Sequence, residues 1–147
     1  MAGATIKVTV DDERVQQALE RVARIGGDAR PLFTEIGSAL EASTRARFDR
    51  GVGPDGVPWV PLTAKTLKRK RGSKILVERG DLLNSIAFEA GSDFVQIVAG
   101  PTEYAATHQF GRPAANIPAR PFLGLSDEDV REIDEATGDY VARMFRG

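Results

Sequence analysis

The chain of 147 residues contains no cysteine, one histidine and one tryptophan, and its formal net charge is -1. Without cysteine there is neither a disulfide nor a thiolate metal site, which suits a reducing compartment. One histidine leaves any transition-metal set short of nitrogen ligands, so no metal or other cofactor is expected. A near-neutral total supplies no global basic field for nucleic acid and no acidic excess that would keep the chain unfolded. No apolar run approaches the roughly 18 residues of a membrane span, and the N-terminus lacks the basic start and apolar stretch of a signal peptide. The expectation is a protein assembled in the cytoplasm, with no membrane partner and no small-molecule substrate. Hydrophobic residues at 41% and charged residues at 28% are those of an ordinary globular chain, and the length suits one domain, 1–147, of roughly 100–150 residues.

Hydropathy periodicity divides the chain. Ala4 to Val10 alternates, with Ile6, Val8 and Val10 on one side, as in a half-buried strand. Asp11 and Asp12 open a helix whose apolar positions are Val15, Leu19, Val22 and Ile25, and Gly26-Gly27 stops it. A second helix starts near Asp28 with Pro31 in its first turn. Its apolar face runs Leu32, Ile36, Leu40, Ser43/Thr44 and Phe48. Arg45, Arg47 and Arg50 complement its negative end. The turn-rich stretch Gly51 to Pro58 delivers Trp59, which flanking prolines brace as a plug onto the core; exposure to a partner is the less favoured alternative.

Thr63 caps a short helix from Ala64 to about Arg71, which carries Lys65, Lys68, Arg69, Lys70 and Arg71, with Lys74 just beyond. A run of this kind is either a solvated helix face or a contact for nucleic-acid phosphates, and no aromatic residues interleave for base stacking. After Ile75-Leu76-Val77, a helical turn spans Gly80 to Asn84. Ser85–Ala90 and Phe94–Ala99, joined through Gly91-Ser92-Asp93, form a hairpin with Ile86 and Phe88 inward. A short helix through Tyr104 to His108 ends at Gly111. Ser126 caps the last helix, with Asp127, Glu128 and Asp129 in its first turn and a buried stripe of Val130, Ile133, Thr137, Val141 and Met144, flanked by Tyr140 and Phe145.

Between those last two helices, Pro113, Pro118 and Pro121 exclude both helix interior and central strand. The residues preceding them are driven extended. Phe110, Phe122 and Leu123 are nevertheless apolar, so the segment reads as an ordered arm resting on a body or a neighbour. The fold class is α+β: a small antiparallel sheet with a hairpin, packed by long helices, plus a proline-rich extended arm.

Chemistry is sparse. His108 between Thr107 and Gln109 is a structural histidine before it is a catalytic one. Ser85 or Ser92 with His108 can be drawn as a triad, but no nucleophile-elbow glycine pattern accompanies them. The acidic triplets lack the alternation and central glycine of a Ca²⁺ loop. No catalytic residue is assigned and no enzyme is expected.

Four segments in order carry a resemblance: Trp59-Val60-Pro61-Leu62 with Thr63 and Lys65; Ile75-Leu76 with Arg79 to Ile86; Tyr104 to Gly111; and Pro118-Ala119-Arg120-Pro121-Phe122-Leu123-Gly124. Together they resemble the phage virion morphogenesis family, the tail completion proteins of Mu-like tailed phages. The chain departs from the family pattern at Glu78-Arg79-Gly80, where a Thr-Gly pair is commoner, and in its short Gly111–Pro118 spacing.

The resemblance implies a structural virion protein at the neck or head-proximal tail end, acting in head–tail joining. It also implies a ring of copies of this chain, a hexamer by expectation, that contacts neighbouring neck and tail-tube proteins. On that basis the expected interface residues are Trp59, Phe110, Arg120, Pro121, Phe122 and Leu123, with Arg120 able to fork onto a neighbour's carboxylate. Lys68, Lys70 and Arg71 would face packaged DNA in the lumen. The alternatives are a tail terminator or minor tail protein, or a small DNA-binding module using the Lys65–Lys74 cluster.

Overall fold

A computed structural model describes residues 12–61, 81–99 and 103–146. The strand expected at 4–10, the basic helix and the apolar triplet 75–77 lie outside the described residues. What is described is α+β, helices around one two-stranded antiparallel hairpin.

Helix α1 (Glu13–Ile25) begins where Asp12, in extended conformation, accepts hydrogen bonds from the backbone N–H groups of Arg14 and Val15 at 2.9 and 3.2 Å. A carboxylate there satisfies two of the four donors that every helix start leaves open. Gly26 ends α1 with φ 75°, its N–H returning to Val22 O. The buried line of α1 is Ala18 and Val22, with Val15 and Ile25 packed at its margins. Leu19, expected on that stripe, is 38% exposed. The helix turns Ala18 and Val22 inward instead.

Helix α2 (Arg30–Arg50) is the centre of the molecule. One side meets the C-terminal helix α5 (Asp127–Arg146), and another carries both strands of the hairpin. Burial therefore reaches more than one face, including Leu32, Phe33, Ile36, Gly37, Thr44, Arg47 and Phe48. Gly37 is required by contact: a Cβ at this position would lie 2.3 Å from the Phe88 ring. Gly51, left-handed at φ 65°, closes α2 by donating to Arg47 O.

The hairpin pairs β1 (Ala87–Ala90) with β2 (Val95–Val98) in the register Phe88↔Ile97 and Ala90↔Val95. Ser92 O, at its tip, accepts from Ala29 N and so ties the turn to the α1–α2 connection. Helix α3 (Asp81–Ser85) leads into β1, and α4 (Glu103–Phe110) follows β2. Two cores result. One joins α1, α2 and α5 around Val22, Leu32, Phe33, Ile36, Ile133 and Tyr140. The other joins Phe48, Trp59, Leu82, Ile86, Ala105 and Phe122 at the far end of α2.

Helix α5 starts on a reciprocal cap: Asp129 N donates to Ser126 Oγ, and Ser126 N donates to Asp129 Oδ2, both at 3.0 Å. This is the capping-box arrangement with aspartate in the third position. The helix buries Val130, Ile133, Thr137 and Tyr140. Met144 and Phe145 are 49% and 82% exposed. They overshoot the end of α1, beyond which nothing among the described residues covers the stripe. Among the described residues no helix is long and apolar enough to cross a membrane.

Candidate functional site

The arm is built onto the body by four side chains. Residues 111–125 leave the C-terminus of α4, fold back in a small loop closed by an Arg112–Ile117 bridge around a 3-10 turn (Pro113–Ala115), and then run extended to α5. The fold-back is tight at Gly111, whose φ is 76° and where a Cβ would stand 2.8 Å from Ala119 N. Both facts call for glycine.

Gln109 clamps the extended part. Its Oε1 accepts from Phe122 N and Leu123 N, each at 3.0 Å, and its Nε2 donates to Leu123 O at 3.2 Å. One buried amide thus does for this backbone what a neighbouring strand would do, which a proline-flanked segment cannot obtain from a sheet. Arg120 N adds a bond to His108 O.

From the other side, Trp59 Nε1 donates to Pro121 O at 2.6 Å. The Trp59 ring meets Phe48 edge-on, with centroids 5.5 Å apart, and Phe48 also packs against Phe122 at 5.6 Å. Arg120 Nε donates to Val60 O at 2.9 Å, and its Nη2 reaches Pro61 O at 3.4 Å. Burial pushes the Arg120 guanidinium below its ordinary pKa. The sequence casts Arg120 as a fork for a neighbour's carboxylate; within the chain it ties the 51–61 loop to the arm.

Below the arm lies a buried ion pair. Arg47, 1% exposed, places Nη2 2.5 Å from Asp129 Oδ2, itself 2% exposed. Its Nη1 donates to Phe122 O at 2.8 Å, and Nη2 also reaches Ser43 Oγ at 3.4 Å. Desolvation lowers the Arg47 pKa; the attraction of Asp129 opposes that shift and the nearby charge of Arg50 adds to it. The pair binds the end of α2, the start of α5 and the arm into one unit. It is the main feature that the sequence does not disclose: Arg47 reads as a helix-end cation and Asp129 as a first-turn acid. One signal was available, namely that Arg47 lies on the same face as Ser43 and Thr44, one position short of Phe48.

The structure treats the six nominated interface residues differently. Trp59, Arg120, Phe122 and Leu123 are all buried and packed within the chain. Phe110 is 60% exposed, and Pro121, on the arm, is exposed too. Phe110 belongs to the last turn of α4 rather than to the arm. Two more apolar side chains stand out on the 51–61 loop, Val57 at 57% and Val60 at 49% exposure. Lys68, Lys70 and Arg71 lie outside the described residues. Ser85 Oγ donates to Leu82 O within its own helix, and His108 contributes its carbonyl to Arg120 N. No group of three or more metal-ligating side chains occurs among the described residues. The assembly is thus a braced platform with exposed apolar side chains, an arrangement suited to contact.

Residues 10–142 match the model of the phage virion morphogenesis family. The putative capsid assembly protein G of Escherichia phage Mu is 32% identical over 96% of this chain and 97% of its own length. The Mu-like prophage FluMu G protein 2 of Haemophilus influenzae is 34% identical over 91% of this chain and 94% of its own. Tail completion protein S of Escherichia phage P2 is 27% identical over 90% and 95%. No solved structure matches. Matched over nearly its whole length, the chain belongs to the phage virion morphogenesis family, whose members are virion-associated structural proteins.

Proposed function

We propose that this protein completes the tail at the neck of a tailed phage, as a ring of identical subunits through which filled heads and finished tails join. The observation that carries this is the rigid platform with its exposed apolar side chains. Phe110, Val57 and Val60 project from elements that Arg120 hydrogen-bonds together. Because Gln109, Trp59 and the Arg47–Asp129 pair already order the arm, little conformational entropy remains to be lost when a partner docks there. The likeness to tail completion protein S of phage P2, over nearly the whole of both chains, supports that step. Phe110 and Pro121 are the nominated residues left free to touch a neighbouring subunit or a neck protein.

Particle complementation tests the proposal. A phage deleted for this gene should give filled heads and separate tails in electron micrographs of the lysate, and adding the purified protein should join them. Phe110→Ser protein, folded by circular dichroism, should join them poorly. Intact virions without the gene would refute a completion role. The phage Mu relative's capsid-assembly name supports one rival, a step on the head side. That rival predicts a lysate lacking filled heads, and the same micrographs decide between the two.

A further inference from the structure

Between helices α2 and α5 lies a cleft of about 230 Å³, floored by Leu40 and Ala136 and rimmed by Glu35, Glu132, Glu135 and Asp139. All four rim carboxylates are exposed, and none appears in the ion pairs among the described residues. Exposed acids elsewhere do find cations: Asp134 pairs with Arg21 and Asp127 with Arg14. The cleft is smaller than the roughly 300–1,000 Å³ that encloses a small organic ligand, and it is open along both helices. It fits an elongated basic segment with a modest apolar side chain.

The chain itself contains such a segment. Between Asp55 and Glu78 there is no acidic residue, and Lys65, Lys68, Arg69, Lys70, Arg71 and Lys74 fall within ten positions. Leu67 sits between Lys65 and Lys68 in that run. In a chain of net charge -1, so strong a local excess implies a compensating acidic surface. The α2–α5 rim supplies four carboxylates over an apolar floor.

We propose that the α2–α5 cleft of one subunit receives the basic 65–74 segment of a neighbouring copy, with Leu67 set on the Leu40–Ala136 floor. This rests on the ring proposed above and gives it a contact. A donor segment and an acceptor cleft on different elements form a head-to-tail interface, which closes into a ring when the rotation allows. Charges of opposite sign on the two patches set the register and speed the encounter, and salt weakens the contact.

Two charge-reversed proteins test it: Glu132→Lys/Asp139→Lys in the cleft, and Lys68→Glu/Lys70→Glu/Arg71→Glu in the segment. Circular dichroism confirms folding, and sedimentation velocity reads association. Wild type should self-associate in a salt-sensitive manner, and each variant alone should associate at least tenfold more weakly. Mixed one to one, the two variants should regain association as alternating copies. The native segment of the cleft-reversed copy meets the native cleft of the segment-reversed copy, and the reversed segment meets the reversed cleft. One chain carrying both reversals should regain self-association.

Wild type that stays monomeric overturns the contact. So do reversals that leave association unchanged, a mixture that does not pair, or a loss confined to monomer melting temperature, which would put the segment in its own cleft. Loss of salt-sensitive duplex DNA binding by the segment variant, with association intact, would assign the run to DNA and likewise overturn the contact. Particle complementation by wild type separates the two ideas. Restored head–tail joining with unaltered association of the variants sinks the contact and leaves the tail completion role standing.

Discussion

Replacing Asp129 by asparagine keeps the shape of the side chain and removes the charge facing Arg47. The guanidinium remains protonated in any ordinary buffer, since arginine does not lose its proton there. It is then a cation at 1% exposure without its counter-ion. Breaking one side of a buried pair costs about 3–5 kcal/mol. Asparagine retains an oxygen that can accept from Arg47 Nη2 or Ser126 N, so Asp129→Asn belongs at the low end and Asp129→Ala at the high end. Arg47→Met strands the carboxylate and also removes the donor to Phe122 O, and falls in the same range. Arg47→Lys keeps the charge but, having one nitrogen, cannot reach both Phe122 O and Asp129 as the fork does; it should lie between wild type and Arg47→Met.

The double variant Arg47→Met/Asp129→Leu decides the case. It leaves no buried charge, only the unpaired Phe122 carbonyl and Ser126 N–H, at about 1–3 kcal/mol. It should therefore be no less stable than either single variant, and far more stable than their sum. Urea unfolding followed by circular dichroism, with the slope unchanged, gives the free energies. For a chain of this size, each kcal/mol corresponds to a shift of about 2–4 °C in Tm, so the single variants should melt roughly 10 °C low. High salt should restore little, because so buried a pair is poorly screened. Single variants losing under about 1 kcal/mol, or a double variant equal to their sum, would refute the reasoning. Such results would mean that water reaches the pair.

Gln109→Ala removes three bonds from the buried backbone of Phe122 and Leu123, and orphaned groups of this kind cost about 1–3 kcal/mol each. Hydrogen exchange should show the Phe122 and Leu123 amides losing protection while the β1–β2 amides keep theirs; equal loss in both would mean global destabilisation. Thr137 is fully buried and its Oγ1 has no hydrogen-bond partner among the described residues. Thr137→Val, nearly isosteric, should therefore stabilise by about 1 kcal/mol, read as a rise in Tm, and a fall would reveal a hidden partner for the hydroxyl. Gly111→Ala imposes a Cβ on a left-handed residue 2.8 Å from Ala119 N. It should destabilise by more than about 1 kcal/mol, measured by urea unfolding, and a neutral result would show that the fold-back can shift.

Local signals carried most of the scaffold. Asp12 and Ser126 cap where their side chains demand it, Gly26 and Gly51 stop helices where a left-handed or unusual φ is needed, and the Gly91–Asp93 turn joins two antiparallel strands as a hairpin. All of these involve partners a few residues apart, which a linear reading can pair. The prolines likewise foretold an extended arm, and the tryptophan its plug. What escaped is what depends on separation in sequence. Arg47 and Asp129 are 82 positions apart, and each has a sufficient local explanation as a helix-end charge, so nothing in either neighbourhood asks for the other. Gln109 reads as a polar residue of a motif until the backbone it holds is seen 13 and 14 positions later.

The same limit governs the interface residues. Aromatic and apolar character in an irregular segment predicts that something will be covered, but not by whose atoms. Here the chain covers Trp59, Phe122 and Leu123 itself and leaves Phe110 outside. The residues that make the arm rigid and those that can meet a partner are therefore different sets. Variants of the first set should lower stability and impair assembly together. Phe110→Ser should impair assembly with the Tm unchanged, and a matching fall in Tm would place that ring in the fold after all.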